Sequence, residues 1–127
     1  MENLENYPTQ YAVQQNLYDL SMLEEMDDDE YVLEILTMLL KETPADFKKM
    51  ADAATAGITD TVYKQAHKLK SSAGVIQAEQ LISLLEMVEG SAKKQATASE
   101  LIVLVEKASS QYRLIEKSLR QEVAKLK

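Results

Sequence analysis

The 127-residue chain contains no cysteine, one histidine, three glycines and two prolines. Without cysteine, disulfide bonds, thiol chemistry and cysteine-ligated metal sites are excluded. One histidine also argues against a zinc site, because zinc sites draw mainly on cysteine and histidine. The shortage of glycine and proline leaves long stretches without turn signals, which favours helices over many short strands.

Basic charge and long apolar runs are also scarce. Fourteen lysines and arginines stand against 21 acidic residues, which gives a formal net charge of −7. An acidic protein lacks the basic face that phosphates of nucleic acids require, so we expect no nucleic-acid partner. No apolar run approaches the ~20 residues that cross a bilayer, and the polar N-terminus does not resemble a signal peptide. The sequence therefore predicts a cytoplasmic protein with no membrane partner.

Apolar residues recur at steps of three and four, which is the period of a helix with one buried side. The pattern predicts a short helix over 17–26 and four longer helices, over 30–56, 58–74, 78–90 and 100–127. We expect the second helix to continue, kinked, through Pro44, because its apolar stripe keeps its register there. Residues 1–16 are predicted to be a loose arm. The fold class is thus all-α, an up-and-down four-helix bundle over residues 17–127 with the short helix capping one end.

The ends of these helices carry their own signals. Asp28 or Asp29 is the expected N-cap of the second helix, and Gly57 is its expected stop. Thr59 or Asp60 is the expected cap of the third helix. Gly90 is expected to end the fourth helix, with residues 91–99 as a polar connection.

His67 lies in the third predicted helix. At about 100° per residue, the apolar residues of this helix fall on the side opposite His67: Val62, Ala66, Leu69, Ala73 and Ile76. The imidazole is therefore expected on the exposed side, near Lys64, Lys70, Ser71 and Gly74. An exposed imidazole is substantially neutral near pH 7, and histidine accepts phosphoryl groups through a ring nitrogen. Nearby lysines would attract phosphoryl oxygens, and small residues leave room for a protein partner.

The segment 66–89, AHKLKSSAGVIQAEQLISLLEMVE, resembles the signature of the histidine-containing phosphotransfer (HPt) domain family. The matching positions are His67, Leu69, Lys70, Ser71, Ser72 and Gly74, followed by Leu81 and Leu84. The resemblance implies that His67 is phosphorylated and that Lys70 supports the phosphoryl group. It also implies that Ser71 is the small position admitting the partner, and that Glu89 lies within reach of the imidazole.

Two further lysines and two departures belong to this resemblance. Lys64 and Lys68 are less closely tied to the motif and are expected to help electrostatically. Gln77 stands where the family commonly has glycine, which leaves the shape of that turn open. Ser71 replaces the usual glycine and adds a hydroxymethyl group near the docking surface. Neither departure removes the nucleophile.

The resemblance implies a phosphorelay intermediate of two-component signalling without kinase activity of its own. Its partners would be response-regulator receiver domains and a hybrid sensor histidine kinase. No cofactor is expected on the chain, because Mg²⁺ would belong to the partner receiver domain. The absence of a glycine-rich phosphate loop agrees with this. Apolar residues of the first helix, Met22, Leu23 and Met26, are candidates for docking, although Leu23 fits a core position better.

Two other functions remain open. A helical adaptor or scaffold would share the bundle and its stripes, and its exposed histidine would be incidental. An enzyme that uses the imidazole as a general base would need a pocket and a second reactive group. The sequence offers only Glu89 for that second role, so this is the weaker alternative.

Overall fold

The computed structural model describes residues 17–127, so the predicted arm over 1–16 lies outside the described residues. Five helices follow one another: α1 Ser21–Glu24, α2 Asp29–Ala56, α3 Thr59–Val75, α4 Glu79–Lys93 and α5 Ala98–Leu126. Each long helix packs against the next one in sequence, α5 closes the ring against α2, and α1 rests on α2. The predicted all-α four-helix bundle is therefore confirmed.

The core is made by the apolar stripes that the sequence predicts. On α3 the five expected positions, from Val62 to Ile76, are all buried. Three expected core residues on the other helices are only half-buried: Ile35, Leu84 and Leu104. Burial of apolar surface at about 25 cal/mol per Å² is the main force holding these helices together. Within residues 17–127, no helix is both long enough and apolar enough to cross a membrane.

Side chains and a glycine define several helix ends as expected. Asp28 is the N-cap of α2, and its carboxylate accepts a 3.1 Å hydrogen bond from the backbone N–H of Tyr31. Gly57 ends α2 with φ 75°, a left-handed conformation that glycine adopts without steric cost. α2 is continuous through Pro44, and the kink at that residue stays a prediction. The start of α5 differs from the prediction: the helix begins at Ala98 and not at Glu100, because Thr97 and Glu100 form a capping box.

The connection between α2 and α3 is tighter than predicted. Neither Thr59 nor Asp60 caps α3, since both are already helical and Ile58 occupies the N-cap position. The reason is that Ile58 also completes the end of α2. Its N–H donates to Ala53 O at 2.9 Å, one of the two hydrogen bonds of a Schellman motif. One residue thus ends one helix and begins the next, which leaves no position for a side-chain cap.

The end predicted for α4 at Gly90 is wrong. The helix continues to Lys93, and Gln95, with φ 58°, makes the left-handed turn instead. Buried Ala92 extends the apolar stripe one turn beyond Val88, so packing favours continuation. Glycine inside a helix costs about 1 kcal/mol relative to alanine, which this extra packing offsets. Residues 91–93 are therefore helical rather than part of the connection.

The first helix is also shorter than expected, with four residues in place of the ten predicted. Asp19 prevents an earlier start, because its side chain accepts hydrogen bonds from the N–H and hydroxyl of Ser21. Such local bonding favours a turn over a helix. Leu17 and Leu23 are nevertheless buried, so the segment covers one end of the core as predicted.

The turn between α3 and α4 contains a strained glutamine. Gln77 has φ 50°, and the N–H of the next residue, Ala78, donates to Ala73 O at 3.0 Å. This is the same turn that Gly57 makes, which explains why glycine suits the position. A side chain in the left-handed region costs about 1–2 kcal/mol.

We expect Gln77→Gly to raise the free energy of unfolding by up to about 1 kcal/mol, because it removes this strain. Gly57→Ala should lower the free energy by a similar amount, since it introduces the same strain in α2. Urea denaturation of the two variants measures both changes. A loss of stability in Gln77→Gly would contradict the strained turn.

Candidate functional site

His67 stands on the open surface of α3. The buried residues Ala66 and Leu69 fix the rotation of the helix, and the imidazole side chain is 64 % exposed. The ring of Tyr63, one turn earlier, stacks beside it at 6.3 Å between centroids and 13° between planes. The imidazole is therefore available to a second protein. It is not enclosed in a pocket, whereas an enzyme that uses it as a general base would need one.

Glu89 of α4 reaches across to His67. Its Oε2 lies 2.7 Å from the Nδ1 atom of the imidazole. Val88, the preceding residue, is fully buried between the helices and positions this part of α4. An ionised carboxylate has no hydrogen to donate, so the contact requires the proton on Nδ1. In the neutral ring, the second nitrogen, Nε2, then has a free lone pair.

Lys70 binds the other oxygen of the same carboxylate. Its Nζ donates to Glu89 Oε1 at 3.0 Å and lies 3.7 Å from Glu86 Oε2. Glu86, which sequence reasoning missed, is three residues before Glu89 on α4, and this spacing was the available signal. Glu89 thus links His67 and Lys70, and we call these three residues the His67–Glu89–Lys70 triad.

The charges of the triad support one another. The hydrogen bond to Glu89 raises the pKa of Lys70. Burial acts to raise the pKa of Glu89, but the hydrogen bonds from Lys70 and His67 outweigh burial and lower it. Both shifts favour the charged forms, so the site presents the carboxylate of Glu89 between the ammonium group of Lys70 and the ring of His67.

The two other predicted lysines are paired elsewhere. Lys64 Nζ lies 3.2 Å from Asp60 on its own helix. Lys68 Nζ donates at 3.1 Å to Asp46 of α2, whose side chain is buried. That contact joins α3 to α2, and sequence reasoning missed it although Asp46 directly precedes the core residue Phe47. Of these lysines, only Lys70 shares an acidic partner with His67.

Beyond His67 the surface of α3 has two small residues, Ser71 and Gly74, which leave open space above the helix. Ser71 is exposed, and a Cβ added at Gly74 would meet no atom within 4 Å. The structure places these two small residues toward the C-terminal end of α3, next to the imidazole along the helix. A partner surface can therefore approach the ring from that end.

The first helix lies at this same end of α3. Asp19 N–H donates to Ile76 O at 2.8 Å, which joins the segment before α1 to the turn after Gly74. On α1, Met22 and Met26 are 62 % and 56 % exposed, whereas Leu23 is buried. Leu23 is therefore a core residue, and the two methionines are apolar surface on α1.

Comparison with protein-family models matches residues 34–127 to the Hpt domain. The match includes α3, α4 and α5 with the whole triad, and most of α2. No curated protein and no solved structure matches the chain.

Proposed function

This chain belongs to the Hpt domain family, and on that premise we propose that His67 accepts a phosphoryl group from a receiver-domain aspartate and passes it to a second receiver. Hpt domains are histidine phosphotransfer carriers of two-component phosphorelays and interact with receiver and kinase proteins. The proposal adds the acceptor residue, the direction of transfer and the partners. Those partners are response-regulator receiver domains, with a hybrid sensor histidine kinase upstream.

The observation that carries the proposal is the contact between Glu89 and Nδ1 on an exposed ring. Because the Nδ1 atom holds the proton, the lone pair of Nε2 attacks phosphorus. The N–P bond forms while the P–O bond to the receiver aspartate breaks, and the aspartate leaves as a carboxylate. The proton on Nδ1 stays against Glu89. Lys70, at the same carboxylate, offers a positive charge to the phosphoryl oxygens.

The remaining chemistry is assigned to the partner. Phosphoryl transfer depends on in-line positioning and on charge stabilisation by metal ions. We propose that Mg²⁺ is held in the acidic pocket of the receiver domain, which docks over the low surface at Ser71 and Gly74. Met22 and Met26 supply apolar contact at the edge of that surface.

Transfer from a phosphorylated receiver tests this function. A panel of purified receiver domains is phosphorylated with acetyl phosphate and Mg²⁺, freed of the donor, and mixed with the chain. We expect phosphate on the chain that is labile in acid, stable in alkali and mapped to His67 by mass spectrometry. If no receiver transfers phosphate, the chain is better described as a helical adaptor with an incidental histidine.

The docking surface can be tested separately with Ser71→Trp. The indole would occupy the space that the receiver needs, so transfer should fall at least about tenfold, since small misplacements of reacting groups cost ~100-fold. Loading of His67 by phosphoramidate, a small donor, should be unchanged. Ser110→Trp is the matched control, because Ser110 is exposed on α5, whose backbone makes no close approach to that of α3 within the described residues. An equal loss with phosphoramidate would show damage to the imidazole and not to docking.

A further inference from the structure

The carboxylate of Glu89 remains beside the imidazole after the phosphoryl group has arrived. We infer that the negative charge of Glu89 holds the Nδ1 proton on phosphorylated His67 and thereby sets the pH range in which the phosphoryl group leaves. This inference rests on the proposed function of His67. It gives Glu89 a role in the release of phosphate, beyond fixing the tautomer before attack.

The chemistry of release depends on that proton. After attack by Nε2, the ring carries the phosphoryl group on Nε2 and the proton on Nδ1, so the ring is a cation. When phosphoryl passes to a carboxylate or to water, the N–P bond breaks and its electron pair returns to Nε2. With the proton in place, the leaving group is neutral imidazole. Without it, the leaving group is an imidazolate anion, which departs far more slowly.

The geometry favours retention of the proton. Glu89 Oε2 is 2.7 Å from Nδ1, and the Glu89 side chain is only 13 % exposed. An opposite charge at close range shifts a protonation equilibrium by about one to three pH units toward the charged form, and partial burial weakens screening by water. A neutral amide at the same place would accept the same hydrogen bond without supplying the charge.

Other charges around Glu89 modify this effect. Lys70 Nζ, 3.0 Å from Oε1, draws on the same carboxylate and repels a cationic ring. Glu86 faces Lys70 Nζ at 3.7 Å from the same helix, and Tyr63 stacks on the ring from α3. Lys70 and Glu89 therefore act on the Nδ1 proton in opposite directions. This opposition distinguishes an electrostatic role from a purely structural one.

The experiment measures the loss of phosphate from phosphorylated His67 as a function of pH. Phosphoramidate loads the chain without a receiver, and the single histidine makes the loaded site unambiguous. Wild type, Glu89→Gln and Lys70→Met are compared in buffers from mildly acidic to alkaline pH. Nitrogen-15 NMR of the ring follows the Nδ1 proton in the same samples. Glu79→Gln is the matched control, since it makes the same change of charge at the exposed start of the same helix, α4.

We expect the pH midpoint of phosphate loss to fall by about one unit or more in Glu89→Gln. Between the two midpoints, loss should then be up to about tenfold slower than in wild type. Lys70→Met should move the midpoint upward, and the control Glu79→Gln should leave it close to wild type. An unchanged midpoint in Glu89→Gln, or shifts of the same sign in Glu89→Gln and Lys70→Met, would overturn the inference.

The result of this pH experiment can be distinguished from the result of the receiver-transfer experiment that tests the proposed function. If receivers fail to phosphorylate the chain but the midpoints shift as expected, the relay function is wrong and the electrostatic role of Glu89 stands. If receivers transfer phosphate and the midpoints coincide, the relay stands without this role. Circular dichroism of both variants checks the fold, and Lys70→Met still tests the opposition of charges if Glu89→Gln is unstable.

Discussion

His67→Gln is expected to fold as the wild type does and to accept no phosphoryl group from any receiver domain. Glutamine has no nucleophilic ring nitrogen, and the chain has no second histidine to replace it. Because the side chain is 64 % exposed, the substitution removes little packing. Stability should change by no more than about 0.5 kcal/mol. Transfer of radiolabelled phosphate, with urea denaturation of the same preparation, measures both effects.

The control for this variant is a surface substitution that removes a charge far from α3. Arg113 lies exposed on α5 and pairs with Glu106 at 3.6 Å. Arg113→Gln should retain transfer at a level close to wild type. Labelled phosphate that persists on His67→Gln would place the acceptor on another residue and reject the proposed function.

Leu69→Ala is expected to lower the free energy of unfolding by about 2–5 kcal/mol. Leu69 is two residues after His67 but faces inward, with 1 % of its surface exposed. It already lines an internal gap of about 10 Å³ together with Leu39 and Tyr112. Removal of its side chain enlarges that gap, and a domain with a total stability of about 5–15 kcal/mol is strongly affected.

Chemical denaturation measures this loss of stability. The dependence of the free energy of unfolding on denaturant concentration should be unchanged, which shows that the folded and unfolded states are comparable. Leu114→Ala makes the same substitution on α5 at a side chain that is 54 % exposed. Its effect should stay within about 0.5 kcal/mol, because little apolar surface is lost from the core. Equal losses of stability in Leu69→Ala and Leu114→Ala would contradict the burial of Leu69 in the core.

The position of Glu89 could be predicted from the family resemblance, but its contacts could not. The resemblance of the 66–89 segment placed a polar residue of α4 within reach of the imidazole. Periodicity alone could not do so, because it gives the rotation of each helix and not its offset along a neighbour. Which oxygen binds the imidazole, and that Lys70 binds the other, follow only from the packed helices.

The sequence by itself determined the features that one helix specifies. The apolar stripe of α3 predicted its buried face and hence the exposure of His67. The pair Asp28 and Asp29 marked the start of α2, and Gly57 marked its end. These signals are local, because they depend on a period of 3.6 residues and on capping bonds within a few residues.

Tertiary structure decided the rest. The packing of the helices pairs Lys68 with Asp46 and joins the segment before α1 to the turn after α3. It also favours the continuation of α4 beyond Gly90. Each of these depends on how far one helix is displaced along another, and that displacement is set by the packing of the whole core. The exposure of His67 could therefore be predicted from a single helix, whereas its contact with Glu89 depends on how α3 and α4 pack against each other.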